Sequence, residues 1–279
     1  MNSPTPPQRP PQTIAFIGGG NMASALIGGL VRSGSPASSI LVVEPQADQR
    51  RALLERLGVQ AQAAADPSLA RAAVVVWAVK PQLYGEAAAP CAAFVGGALQ
   101  LSVMAGIRCA AIEAATGSAR IVRAMPNTPA LIGQGMAGLY ARSSVSAEER
   151  ALVERLFKPT GRSVWVSDEA DLDAVTALSG SGPAYGFYLI EAMVEAAQRM
   201  GLDEAQGREM AIQTLLGAAM LAQQSALSPA ELRAQVTSKG GTTHAALTSM
   251  EADGVKEAVV RALLAAQARA RELGEAFGA

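Results

Sequence analysis

The chain has little of what metal sites and proton-transfer sites are usually made from. Its 279 residues include one histidine, His244, and two cysteines, Cys91 and Cys109. The cysteines have no C-x-x-C spacing, and one imidazole cannot complete an ordinary Cys/His zinc site, so a metal-free, cytoplasmic protein is expected. Aromatic residues make up 4% and charged residues 17% of the chain, with a formal net charge of −1. That balance argues against broad electrostatic affinity for nucleic acid or an anionic membrane surface. No run of about 18 apolar residues marks a membrane span. The opening stretch, Met1 to Pro11, is proline-rich and lacks the apolar core of a signal peptide, so residues 1–12 are expected to form an extended, disordered lead-in.

What is present is apolar and small. Half of the residues are hydrophobic and 27 are glycine, which favours closely packed helices over an aromatic-filled barrel. At roughly 150 residues per domain, the length suggests two domains. The apolar run Thr13–Ile17 leads directly into Gly18-Gly19-Gly20-Asn21-Met22-Ala23, and Ser24–Val31 follows in helical register. In this G-x-G-x-x-A pattern Gly18 makes the tight turn, Gly20 admits a pyrophosphate to the backbone, and Ala23 keeps helix and strand close. The alternative is a purely structural glycine turn. A second run, Ile40–Val43, ends in Glu44, about where a dinucleotide fold carries its ribose-binding acid.

Further apolar runs at Val74–Val79, Ala98–Val103 and Ile121–Met125, separated by helical segments, predict a parallel sheet covered on both faces. Ala137–Tyr140 and Ser163–Val166 would complete it. Ligands of such sheets bind beyond the carboxyl ends of the strands, which points to Lys80-Pro81, Ala105-Gly106 and Pro126–Pro129. Lys80 is placed to meet a cofactor, or is a surface lysine. From Asp168 onward the strand pattern gives way to helices: Asp171–Leu178, Pro183–Met200, Asp203–Ser225, Pro229–Val236 and Thr242–Phe277, the last interrupted near Asp253-Gly254. The fold class expected is therefore an α/β Rossmann-type dinucleotide-binding domain over 13–168, followed by an all-α dimerisation and substrate domain over 169–279. The segment Tyr185–Val194 is apolar on nearly every face and reads as a buried dimer element, the alternative being the core helix of a monomer.

Two glycine- and hydroxyl-rich segments precede helices in this second part. In Val236–Met250, Gly240 and Gly241 allow close backbone approach, and Thr242 and Thr243 stand at a helix start with unpaired N–H donors. A carboxylate or phosphate fits there, although a plain helix cap accounts for the same residues. Leu178–Tyr185 would bind ligand or let two backbones touch at a dimer contact. His244 invites a general-base role but is expected to face outward or to cap the helix. With no Ser/His/Asp set and no evident strong acid, the indicated reaction needs little acid–base help; hydride transfer to an already protonated imine is one.

The motifs Ile17–Met22, Ala78-Val79-Lys80-Pro81, Arg123–Pro129, Leu178–Tyr185 and Pro229–Met250, in this order and spacing, resemble pyrroline-5-carboxylate reductase from Thr13 to about Leu273. The resemblance implies an enzyme of proline biosynthesis that reduces 1-pyrroline-5-carboxylate to L-proline with NADPH or NADH. It implies that Gly18, Gly19, Gly20, Asn21 and Met22 hold the pyrophosphate, that Ile17 also binds the cofactor, and that Ala78, Val79, Lys80 and Pro81 border ribose and nicotinamide. Ser238, Gly240, Gly241, Thr242 and Thr243 would grip the substrate, with the Thr243 hydroxyl as the catalytic partner of the imine and Glu169 near bound proline. Ala234, Gln235 and Lys239 depart from residues found in relatives. Homodimers built through interleaved carboxy-terminal helices, assembling into a larger ring such as a decamer, are also implied. Two other readings are a β-hydroxyacid dehydrogenase-like oxidoreductase, which needs a catalytic lysine in its helical domain, and a non-catalytic dinucleotide-binding regulator. Cofactor choice stays open: Glu44 favours NAD, whereas Arg50 and Arg51 could approach a 2′-phosphate.

Overall fold

The computed structural model describes residues 12–277, so the lead-in expected over 1–12 lies outside the described residues except for Gln12. The chain divides into two compact units, the first running to Gly180 and taking in the residues from Ala266, the second spanning Ser181–Ala265.

In the first unit the apolar runs become strands and the segments between them become helices. In chain order these are β1 (Ile14–Ile17), α1 (Asn21–Arg32), β2 (Ile40–Val43), α2 (Ala47–Leu57), β3 (Ala61–Gln62), β4 (Val74–Trp77), α3 (Tyr84–Ala88), α4 (Ala92–Val95), β5 (Leu99–Ser102), α5 (Cys109–Thr116), β6 (Ile121–Met125), β7 (Gly135–Ala141), α6 (Ala147–Phe157), β8 (Gly161–Trp165) and α7 (Asp171–Val175). The strands form one eight-stranded sheet in the order β3-β2-β1-β4-β5-β6-β7-β8. The order reverses beside β1, which pairs in parallel with both β2 and β4. Ligand crevices open at such switch points, beyond the carboxyl ends of the strands.

Two features of the sheet were not expected. The two-residue β3 is too short to show a periodicity of its own. The pair β6–β7 is antiparallel, Val122 standing opposite Ala141 and Met125 opposite Gly138. The connection between them, 126–134, contains a short 3₁₀ turn at Thr128–Ile132 in place of the long crossover a parallel pair requires.

Side-chain alternation along the strands feeds two cores. Ile14, Phe16, Val74, Val76, Leu99 and Leu101 pack with Ala23, Leu26, Ile27 and Leu30 of α1 on one face. Ala15, Ile17, Val75 and Trp77 pack with Val95, Ile107 and Ile112 on the other. A strand buried on both sides is apolar at nearly every position, which is why β1, β2 and β4 read as continuous hydrophobic stretches.

The second unit holds α8 (Gly182–Arg199), α9 (Glu204–Gln224), α10 (Pro229–Gln235), α11 (Thr242–Ala252) and the start of α12 (Val255–Phe277). Helices α9 and α10 each open with a capping box, Asp203 with Gln206 and Ser228 with Glu231, which satisfies amide donors that a helix start otherwise leaves unpaired. Between α8 and α9 the approach is close enough that a Cβ on Gly207 would lie 2.8 Å from the Cβ of Ala197. The last residues of α12 belong to the first unit, where a Cβ on Gly106 (φ +79°) would come within 3.3 Å of the Leu273 carbonyl oxygen.

Candidate active site

The glycine loop is set by contacts that admit no other residue at its first position. The Gly18 N–H donates to the Val43 carbonyl at 2.8 Å, and its φ of +98° lies in the region L-residues avoid. A Cβ there would stand 2.7 Å from the Ala78 carbonyl oxygen. Gly20 is the extended N-cap of α1, with no side chain capping the helix and nothing within 4 Å of where its Cβ would be. Since the first intrahelical bond is donated by Ser24 to the Gly20 carbonyl, the amides of Asn21, Met22 and Ala23 are left to an outside acceptor. An open, uncapped helix start at a switch point suits a pyrophosphate.

The middle peptide of the loop is clamped from both sides. The Gly19 N–H donates to Glu44 Oε2 at 2.8 Å. Its carbonyl accepts from Gln49 Nε2 and, at 3.2 Å, from Ser24 Oγ. Beside the loop a cleft of about 350 Å³ opens at the carboxyl ends of β1, β2 and β4, lined by Ile17, Gly18, Val43, Pro45, Val79, Leu83 and Cys91 among others. Burial pushes the Cys91 thiol up to about 11, so it presents a neutral, apolar wall. Thus Ile17, Gly18, Gly19, Gly20, Glu44, Ala78 and Val79 are brought together, with Lys80 exposed at the rim before Pro81.

Toward β5 and β6 the structure adds residues that pattern reading passed over. Asn127, within the Arg123–Pro129 motif, donates from Nδ2 to the Ser179 carbonyl at 3.1 Å and accepts the Met136 N–H at 2.9 Å. It joins that motif to the Leu178–Tyr185 motif, and a Cβ on Gly180 would meet the Met125 methyl at 2.5 Å. Arg123, 4% exposed inside a strand, pairs with Glu169 at 2.9 Å. The same carboxylate oxygen accepts the Cys109 N–H at 2.7 Å, at the start of α5. Burial, with the Glu169 charge adding to it, raises the Cys109 thiol to about 12. Glu169 therefore has partners of its own in the first unit. A charged residue within the apolar run Ile121–Met125 was the available signal, since buried arginines are found paired.

In the second unit the segment before α11 has a comparable loop geometry. Gly240 has φ +77°, the Gly241 N–H donates to the Ser238 carbonyl at 3.0 Å, and a Cβ on Gly241 would lie 2.6 Å from Ser238 Oγ. Gly241 is the extended N-cap, again with no capping side chain, in contrast to α9 and α10. The Ala245 N–H bonds back to the Gly241 carbonyl at 3.1 Å, so the amides of Thr242, Thr243 and His244 have no acceptor within the helix. Thr243 is half-buried, whereas Ser238, Thr242 and His244 are exposed. Among the described residues no group of three or more His, Cys, Asp and Glu is placed to hold a metal ion.

Residues 169–273 match the family model for pyrroline-5-carboxylate reductase dimerisation, and residues 13–106 match that for NADP oxidoreductase coenzyme F420-dependent. The chain is 46% identical over 269 residues to pyrroline-5-carboxylate reductase of Pseudomonas aeruginosa, covering 95% of this chain and 98% of that protein. The chain belongs to the pyrroline-5-carboxylate reductase family. The family enzyme of Haemophilus influenzae is 43% identical over 95% of this chain and 98% of its own length. A solved pyrroline-5-carboxylate reductase from Coxiella burnetii superposes with a TM-score of 0.89 at 37% identity, over 95% of this chain and 99% of that one. That of Plasmodium falciparum, solved with NADP bound, does so with a TM-score of 0.84 at 26% identity, over 94% and 98%.

Family membership bears on the apolar surface of the second unit, which is the matched dimerisation region. Phe187 is 61% and Tyr188 75% exposed in the single chain, and Leu189, Met210, Leu216 and Met220 are exposed as well. No helix among the described residues is long and apolar enough to cross a membrane.

Proposed function

We propose that the chain is a pyrroline-5-carboxylate reductase, an oxidoreductase acting on a CH–NH group, which reduces 1-pyrroline-5-carboxylate to L-proline with NAD(P)H as the last step of proline biosynthesis. The observation that carries this reading is the near full-length identity of 46% to a protein of that name. The two glycine-led, uncapped helix starts, Gly20 before α1 and Gly241 before α11, support it.

The first helix start, with the cleft beside it, receives the dinucleotide. The amides of Asn21, Met22 and Ala23 neutralise the pyrophosphate, and Ile17, Gly18, Val79 and Pro45 give an apolar seat to the rest. A bound reduced nicotinamide supplies hydride to the C=N carbon of the substrate. The second helix start holds the substrate carboxylate with the amides of Thr242, Thr243 and His244, assisted by Ser238 and by the freedom of Gly240 and Gly241. Thr243, the half-buried hydroxyl, is the hydrogen-bond partner of the ring nitrogen. Because the imine enters protonated, hydride transfer gives the amine with no general acid, and positioning is the chief contribution of the protein. The exposed imidazole of His244 has no part in this, so His244→Ala, which keeps the backbone amide, keeps most of the activity.

We further propose that 13–168 and 169–279 divide cofactor from substrate and dimerisation duties, and that the active form is a cytoplasmic homodimer assembling into a larger ring such as a decamer. Oxidation of NADH or NADPH on addition of 1-pyrroline-5-carboxylate, with proline recovered in equal amount, tests the activity. Absence of turnover with both cofactors in folded protein would overturn it.

A further inference from the structure

We propose that this chain selects NADH over NADPH, and that Glu44, locked in place by the loop it supports, makes the selection; the inference rests on the reading of the first unit as the dinucleotide site. Glu44 is 6% exposed, and its two oxygens are committed to different segments: Oε2 accepts the Gly19 N–H at 2.8 Å and Oε1 the Gln46 N–H at 2.8 Å. Its side chain also fills the space beside the loop, its Cβ and Cγ standing 3.3 Å from where a Gly19 Cβ would be. Swinging the carboxylate away would release the Gly19 peptide and the start of α2 together.

A carboxylate oxygen accepts more than one hydrogen bond, so one donor on each oxygen leaves acceptor capacity for ribose hydroxyls. A 2′-phosphate has no proton to give at neutral pH and meets the same group as a like charge. Proteins that take the phosphate offset this with an arginine. Here the Nη1 of Arg50 is drawn to the main chain, donating to the Glu44 carbonyl at 3.0 Å and the Pro45 carbonyl at 2.7 Å. Arg51 pairs at 3.6 Å with Asp48 on the surface. Among the described residues lining the cleft, the one charged side chain is Glu86, another carboxylate. The site thus offers hydroxyl acceptors and no committed cation, which disfavours the phosphorylated cofactor by charge repulsion while leaving NADH its hydrogen bonds.

The test is to measure dissociation constants for NADH and NADPH from nicotinamide fluorescence, without substrate, in the wild-type protein and in Glu44→Ser and Glu44→Gln. The values of kcat/KM for both cofactors with 1-pyrroline-5-carboxylate are taken in parallel. The proposal expects wild type to favour NADH by about tenfold or more, and the ratio to move toward NADPH by a similar factor when the charge is removed. A wild-type preference for NADPH, or none, overturns it. So does an equal weakening of both cofactors in the variants, since a carboxylate that only braces the loop would not move the ratio. Should Glu44→Ser fail to fold, Glu44→Gln keeps the side-chain volume and a carbonyl acceptor, and the wild-type ratio decides in either case. Loss of turnover with intact, selective NADH binding would count against the proposed substrate and leave the selection standing.

Discussion

The two units of this chain bury their apolar residues very differently. Around the sheet, alternate side chains of the same strands enter two cores, and Phe16, Leu26, Trp77, Leu101 and Ile112 are each 2% exposed or less. In the second unit the buried residues among α8 to α11 are Ala197, Gly207 and Ala211, while large side chains along α8 and α9 face outward. The first unit has packed cores of its own; the second has the composition of a core without the burial. Its match to a dimerisation family model supports the proposal that the same helices of another chain cover this surface.

The difference can be broken most forcefully by placing a charge on each unit at a similarly exposed apolar site. Leu189→Asp on α8, 45% exposed in the single chain, would put an unpaired carboxylate into a subunit contact and cost several kcal/mol, separating or unfolding the subunits. Leu54→Asp on α2, at 53% exposure, should change stability by no more than about 0.5 kcal/mol, because that site stays in water. Light scattering with denaturant unfolding reads both. If the two substitutions behave alike, α8 is an ordinary surface.

A second substitution sharpens the comparison from the cofactor side. Gly18→Ala adds a Cβ 2.7 Å from the Ala78 carbonyl oxygen at a φ of +98°, and the backbone conformation alone costs about 1–2 kcal/mol. Dinucleotide affinity should fall at least about tenfold, with the oligomeric state unchanged. Wild-type affinity in a folded variant would mean that the loop has room the structure does not show. The smallest expected effect is a pH dependence confined to the first unit. Cys91 and Cys109 are held neutral by burial, up to about 11 and about 12, against an ordinary thiol value of 9.0. A raised folded-state value means stability fully present below pH 9 that is lost as the pH climbs through these values. Thermal midpoints between pH 8 and 11 should therefore fall less in the double variant Cys91→Ala, Cys109→Ala than in wild type. Identical slopes would remove the thiols from the account.

Much of this was legible in the sequence because period and punctuation coincide. Thr13–Ile17 followed by glycines and a helical register gave β1, the loop and α1 within a residue or so, and the break at Asp253-Gly254 became the gap between α11 and α12. The antiparallel turn from β6 to β7 was hidden, since strand direction leaves no trace in an apolar run. The second role of Glu44 was hidden for a related reason: spacing placed the acid at the end of β2, but only geometry shows both its oxygens holding backbone amides. Glu169 and Arg123, 46 residues apart in the chain, meet through folding that no local pattern encodes.

The central claim is that one uncapped helix start serves the cofactor and the other serves the substrate. Measuring NADH affinity and kcat/KM for 1-pyrroline-5-carboxylate in Thr243→Ala tests it most directly. The account expects unchanged NADH affinity with kcat/KM lowered by about tenfold to a thousandfold, the loss of one hydrogen bond to the reacting group. Turnover equal to wild type, or a loss of NADH affinity matching the loss of rate, would contradict it.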